Sequence, residues 1–197
     1  KENEIPEEQK EFFRTLLLNT GDCSFCTKLF KRSVFEGFYF SERDINKDFK
    51  LLVKMSEKFR NLIVIPRPGY HIILRDQGNT RDAYNHSFYE NAMDNAGGML
   101  VLTARNYPDL YQEAVHFYCI QAMWFLLHIP VSEMREDNGL YMRVMEYLRG
   151  LRRFILTDKY MPLKYKRNLL FFACLPAKKV KTLHKKMILL LERCIRF

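Results

Sequence analysis

The sequence predicts a mainly α chain with a small β portion (α+β), ending in a C-terminal helical bundle. Three observations carry that expectation. Beyond residue 85 the apolar residues recur at helical spacing almost without a break. Only two short β-rich runs occur, LIVI within 61–65 and YHIILR over 70–75. Finally, 48% of the 197 residues are hydrophobic and only 8 are Gly and 7 Pro, enough to bury a core. That composition excludes collagenous, low-complexity and wholly disordered classes.

Along the chain, Pro6 precedes a first helical run, EEQKEFFRTLLL, with Phe12, Phe13, Leu16 and Leu17 on one face. Gly21 and Asp22 end it. A basic and aromatic run from Cys23 to Phe35 follows, then Gly37 and the trio Phe38, Tyr39 and Phe40. The polar loop SERDINKD leads into a second helix, Phe49 to Phe59, with Asp48 where an acid favours a helix start. Asn61 to Ile65 and residues 70–75 read as strands, with turn signals from Asp76 to Thr80. Helices are expected at about 85–105, 108–129, 132–157, 162–174 and 176–195. Pro108, Pro130, Pro162 and Pro176 each fall near one of these boundaries, as helix N-termini favour.

Two segments result: 1–84, mixed α and β, and 85–197, a helical domain with a basic tail. Two β segments do not make a stable sheet by themselves. Together with a first residue of Lys1 rather than Met, this leads to the expectation that a sheet-bearing part precedes residue 1.

The net charge of +9 is unevenly placed. From Leu151 to Phe197 there are thirteen Lys and Arg against two acids, Asp158 and Glu192, so the residues before them are slightly acidic in sum. A near-neutral body with a cationic tail predicts that the tail meets an anionic surface, either nucleic-acid phosphate or lipid headgroups.

Five cysteines, Cys23, Cys26, Cys119, Cys174 and Cys194, cannot all pair. Cys23-x-x-Cys26 could be half a zinc site, although no second CxxC or HxxxH follows it, or a redox pair, although no thioredoxin-like βα pattern precedes it. Reduced thiols in a cytoplasmic chain are expected. The uncharged stretch from Ala114 to Ser132 contains His116, Gln121, His128 and Pro130, and so reads as a buried core helix rather than a membrane span.

Residues 25–81 carry a more specific pattern: Lys28, Leu29, Phe30, Lys31, Arg32 and Phe35, then Phe40, then Asp48, then Pro68, Tyr70 and Arg75. In this order and spacing the segment resembles the middle-to-late region of bacterial family 2 glycosyltransferases, which have the GT-A fold. The matching features there are a Trp-Asn-Lys-Leu-Tyr/Phe-Lys-Arg-x-x-Phe run, a Phe, a Glu-Asp pair opening a helix and a Pro-Leu-Tyr-x-Tyr-Arg-like strand end. Two positions depart from it: Lys47 stands for the Glu of the acidic pair, and Cys26 for the Trp before Lys28.

The resemblance implies a partial GT-A-like segment that contributes the acceptor side of a sugar transfer. Asp48 takes the place of the family's catalytic base, Tyr70 and His71 line the acceptor side, and Arg75 adds charge near the diphosphate. The family's nucleotide-binding half and its Asp-x-Asp after a strand have no counterpart in this sequence, so the chain alone is expected to be inactive. No cofactor or metal site is expected within it. A divalent metal (Mg or Mn), a sugar nucleotide and a carbohydrate or lipid-linked acceptor are expected for the full-length enzyme, in cell-surface polysaccharide or glycolipid synthesis.

An apolar stripe edged by lysines over 162–197 adds an expected partner, an anionic membrane surface, and a peripheral location at the inner membrane face. Two other functions fit the same sequence. A non-catalytic helical scaffold would explain Lys47. A nucleic-acid-binding module would use the basic tail, although the tail cations are interleaved with Leu, Phe and Ile and no recognised motif accompanies them.

Overall fold

In the computed structural model the chain is mostly helical, as the apolar periodicity requires. The structure describes residues 7–20, 24–39, 47–59, 61–63, 69–71, 73, 84–176, 179 and 182. Seven α-helices lie in these residues: α1 Glu7–Leu17, α2 Lys47–Ser56, α3 His86–Asn106, α4 Tyr111–His128, α5 Gly139–Gly150, α6 Arg152–Thr157 and α7 Leu163–Cys174. Single 3-10 turns occupy Arg32–Phe35, Pro108–Leu110 and Val131–Glu133. The expected helix at 176–195 lies almost entirely outside the described residues.

The chain forms two compact units, 1–117 and 118–197. The expected division at 84/85 followed the change in composition, whereas the compact units divide inside α4. The reason lies in what α1 touches within the first unit. Gln9 Nε2 donates to the Ser56 carbonyl at 2.7 Å and to the Tyr107 hydroxyl at 3.4 Å, tying α1 to the end of α2 and to the residue after α3. Phe13, fully buried, stacks on Tyr107 with ring centroids 4.6 Å apart. Lys10 pairs with Asp109, and Asn106 Nδ2 donates to Glu57 at 3.2 Å. The hydrogen bond from Lys10 holds the Asp109 carboxyl below its usual range. That pairing is present at neutral pH and fades as the pH falls through the depressed value, a small effect for a carboxylate this exposed.

The core of this unit is Phe13, Leu16 and Leu17 of α1, Leu51, Leu52 and Met55 of α2, and Met93, Ala96 and Met99 of α3. The two expected strands are absent where they are described, and residues 64, 65, 72, 74 and 75 of them lie outside the described residues. Asn61, Leu62 and Ile63, and Gly69 to His71 with Ile73, are not strand, and among the described residues there is no strand at all. Ile63 and Ile73 remain exposed. β-Branched residues stabilise a strand only when a ladder partner and a covered face are supplied, and Ile63 and Ile73 have no covered face.

The second unit begins within α4. From Glu113 to Ile120 every residue of α4 is buried, which is why its apolar residues show no one-sided stripe. Phe125, Leu126 and Ile129 join Val144, Met145 and Leu148 of α5, Ile155 of α6 and Leu169 and Phe172 of α7 as its core. The single helix expected over 132–157 is instead a 3-10 turn, a loop and two helices. Asn138 breaks it: its Oδ1 accepts from the Tyr141 amide at 3.1 Å and its Nδ2 donates to the Glu133 carbonyl at 3.0 Å, capping α5. Gly150 then closes α5 before the six-residue α6. Pro130 and Pro162 sit at the N-caps of the Val131–Glu133 turn and of α7, and Pro108 opens its own turn, in line with the sequence. Among the described residues no helix is long and apolar enough to cross a membrane.

Cys119 sits in this core. Burial, with a smaller push from the Asp158 carboxylate, raises its thiol to about 12. Almost none is thiolate at neutral pH, so it is a packing residue rather than a nucleophile. Native alkylation with iodoacetamide at mildly alkaline pH is therefore expected to label the exposed Cys26 and Cys174 and to spare Cys119. Peptide mass mapping reads the result, and labelling of Cys119 at the rate of Cys174 would contradict its burial.

Candidate functional site

The residues of the 25–81 pattern divide into those that pack and those that face solvent. Phe25, Phe30 and Phe35 form one aromatic cluster, with centroids 5.2 Å (Phe25–Phe30) and 5.4 Å (Phe30–Phe35) apart. Phe30 reaches Phe59 at 5.9 Å, and Phe59 meets Phe12 of α1 at 5.3 Å. Thus the Lys-Leu-Phe-Lys-Arg-x-x-Phe run is anchored through Phe30 onto Phe59, just after α2, which in turn meets α1. Gly37, at φ +81°, turns the chain after the 3-10 turn in a conformation that suits glycine. Lys58 then clamps the far side, donating to the Glu36 carbonyl with its ammonium 4.6 Å from the centre of the Phe38 ring. Between these anchors Leu29, Lys31 and Arg32 are exposed.

Asp48 is the second residue of α2, and the structure describes its backbone. An acid in the first turn is favoured by the unpaired amides and the dipole of the helix N-terminus. The helix carrying it is firmly set within its unit. Phe49, the next residue, stacks on Phe117 at 5.2 Å and 10°, and Gln9 holds the C-terminal carbonyl of Ser56. The Asp48 backbone is therefore fixed by contacts on both sides of its helix.

Tyr70 is described and about half exposed. Its phenol lies beside the Cys26 thiol, and that hydrogen bond, with the charge interaction between the two groups, raises the phenol above its ordinary value. Tyr70 therefore stays a neutral hydroxyl across the physiological range. His71 is exposed next to it, while Arg75 lies outside the described residues. The Tyr70 phenol thus lies near the Cys26 thiol, far from it in the sequence. That pairing was not visible in the sequence, where Cys26 stood out only as a departure from Trp and as half of a CxxC.

Among the described residues no group of three or more His, Cys, Asp or Glu could hold a metal ion. A Mg or Mn ion takes several oxygen ligands. One carboxylate at Asp48 with a tyrosine, a histidine and an arginine does not supply that donor set, so the residues of the pattern do not fit the metal. Compared with protein-family models, with curated proteins and with solved structures, the chain finds no match.

Proposed function

We propose that this chain is the acceptor-side and C-terminal helical part of a sugar-nucleotide-dependent glycosyltransferase, with Asp48 as the base. The observation that carries the proposal is the ordered run in 25–81, whose Asp48 opens a helix as the acidic pair of family 2 glycosyltransferases does. Supporting it, Phe30 and Phe35 of the run pack in one aromatic cluster that reaches Phe59, while Lys31 and Arg32 stay exposed, the division expected of a scaffolded anionic-substrate site.

In the proposed reaction an acceptor hydroxyl attacks the anomeric carbon of the donor sugar. Its proton passes to the Asp48 carboxylate as the new C–O bond forms, and the bond to the nucleoside diphosphate breaks with its electron pair. The configuration at that carbon inverts. Tyr70, kept neutral beside Cys26, can both give and accept a hydrogen bond on the acceptor side, with His71 adjacent. Arg75 balances charge that develops on the departing diphosphate. The nucleotide-binding half is proposed to precede the 25–81 segment in the full-length protein, with the divalent metal held there.

Lys47 favours a second reading, a non-catalytic helical scaffold in which the acidic pair has lost its function. One comparison separates the two: nucleoside diphosphate release by the full-length gene product and by its Asp48→Asn form, at saturating donor and acceptor. Loss of turnover in the variant supports the transferase. Retention of more than about a tenth of the turnover removes Asp48 as base.

A further inference from the structure

Within α7 the apolar stripe expected along the tail divides. Leu169, Phe172 and Ala173 of α7 are buried, and α7 packs against α5 and α6. A second apolar line lies on the opposite side, where Leu163, Phe171 and Leu175 are 83%, 47% and 48% exposed. Leu163, Arg167 and Phe171 recur every four residues and so form one ridge along the helix, which Leu175 continues at the C-cap. Lys164 and Arg167 are both exposed on this side.

The three cations of α7 have different tasks. Lys166 donates to the Leu156 carbonyl at 3.1 Å and fastens α7 to the end of α6. Arg167 makes a long contact of 3.4 Å to Asn168, and Lys164 lies 5.1 Å from the centre of the Tyr165 ring. No acid lies anywhere between Lys159 and Lys186, so nothing nearby in the sequence neutralises the ridge. Exposed Leu and Phe in a row favour an apolar covering, and two flanking cations favour one with negative charge at its edge. Duplex nucleic acid offers the charge but nothing for Leu163, Phe171 and Leu175.

We infer that the outward ridge of α7 docks on an anionic membrane surface, with Leu163, Phe171 and Leu175 at the acyl boundary and Lys164 and Arg167 among the headgroups. The inference does not depend on the sugar-transfer proposal. Within the described residues it assigns five side chains to that contact and removes Leu169 and Phe172, which belong to the core.

The test is co-sedimentation of the 197-residue protein with phosphatidylcholine vesicles, with and without about 30% phosphatidylglycerol, at moderate salt. Binding at least about tenfold stronger to the anionic vesicles is expected. Lys164→Gln with Arg167→Gln should weaken it about thirtyfold, and Phe171→Ser about tenfold. All three positions are exposed, and an unchanged circular dichroism melt shows that the variants fold. Equal partitioning onto both vesicle types overturns the inference. So does anionic binding that all these variants retain. A dimer in sedimentation equilibrium that Phe171→Ser dissociates would assign the ridge to a second copy of the chain. Retention of a DNA duplex without vesicle binding would assign it to nucleic acid, and either result overturns the membrane.

Discussion

Asp48→Asn in the full-length protein is expected to lower kcat by about 10²- to 10⁴-fold, the range a positioned general base contributes. The amide keeps the size and much of the hydrogen bonding of the carboxylate but cannot take the acceptor proton. Because the donor does not depend on this group for binding in the proposed reaction, its Kd should stay within about threefold. A change that raises KM and leaves kcat alone would instead mark Asp48 as a substrate-binding residue. A drop below about tenfold moves the base elsewhere in the same loop, where Asp44 and Glu42 are the next carboxylates.

Phe13→Ala should cost about 3–5 kcal/mol of stability, read from urea denaturation, because it removes a fully buried ring and leaves a cavity. The ring stacks on Tyr107, whose hydroxyl also accepts from Gln9, so its loss loosens the joint of α1 with the residues after α3. Against a total stability of about 5–15 kcal/mol, that is a large fraction. Leu29→Ala supplies the contrast. Leu29 lies inside the 25–81 pattern but is 97% exposed, and its replacement should fall within about 0.5 kcal/mol. A Phe13→Ala cost below about 1 kcal/mol would contradict the packing of the first unit.

The helices after residue 85 were legible because their apolar residues repeat at helical spacing and their ends carry local signals. Asn85 accepts from the Phe88 amide at 3.1 Å, and Pro162 stands at the N-cap of α7. The break before α5 was written in Asn138-Gly139, a cap and a permissive residue, but the apolar spacing on either side masked it. The described part of the β-rich runs differs for another reason. Leu62 and Ile63 have the composition of a strand, yet strand formation is decided by a partner that no local window contains.

For the candidate site, the acid at the helix start was visible because helix entry is local. The aromatic anchoring was not, since Phe30 finds its partners at Phe59 and, through it, at Phe12. The Tyr70–Cys26 pairing is likewise a long-range contact, and no spacing rule reports it. In α7 the sequence displayed both apolar lines at once. Only packing against α5 and α6 separates Leu169 and Phe172, which are core, from Leu163 and Phe171, which are not.

The division of labour between donor and acceptor halves is tested most directly by calorimetry with uridine and guanosine diphosphate sugars in the presence of Mn²⁺. Metal-dependent donor binding by the full-length gene product is expected, with no specific heat from the 197-residue chain alone. A metal-dependent affinity of the order of micromolar in the 197-residue chain, or its absence from the full-length product, would contradict that division.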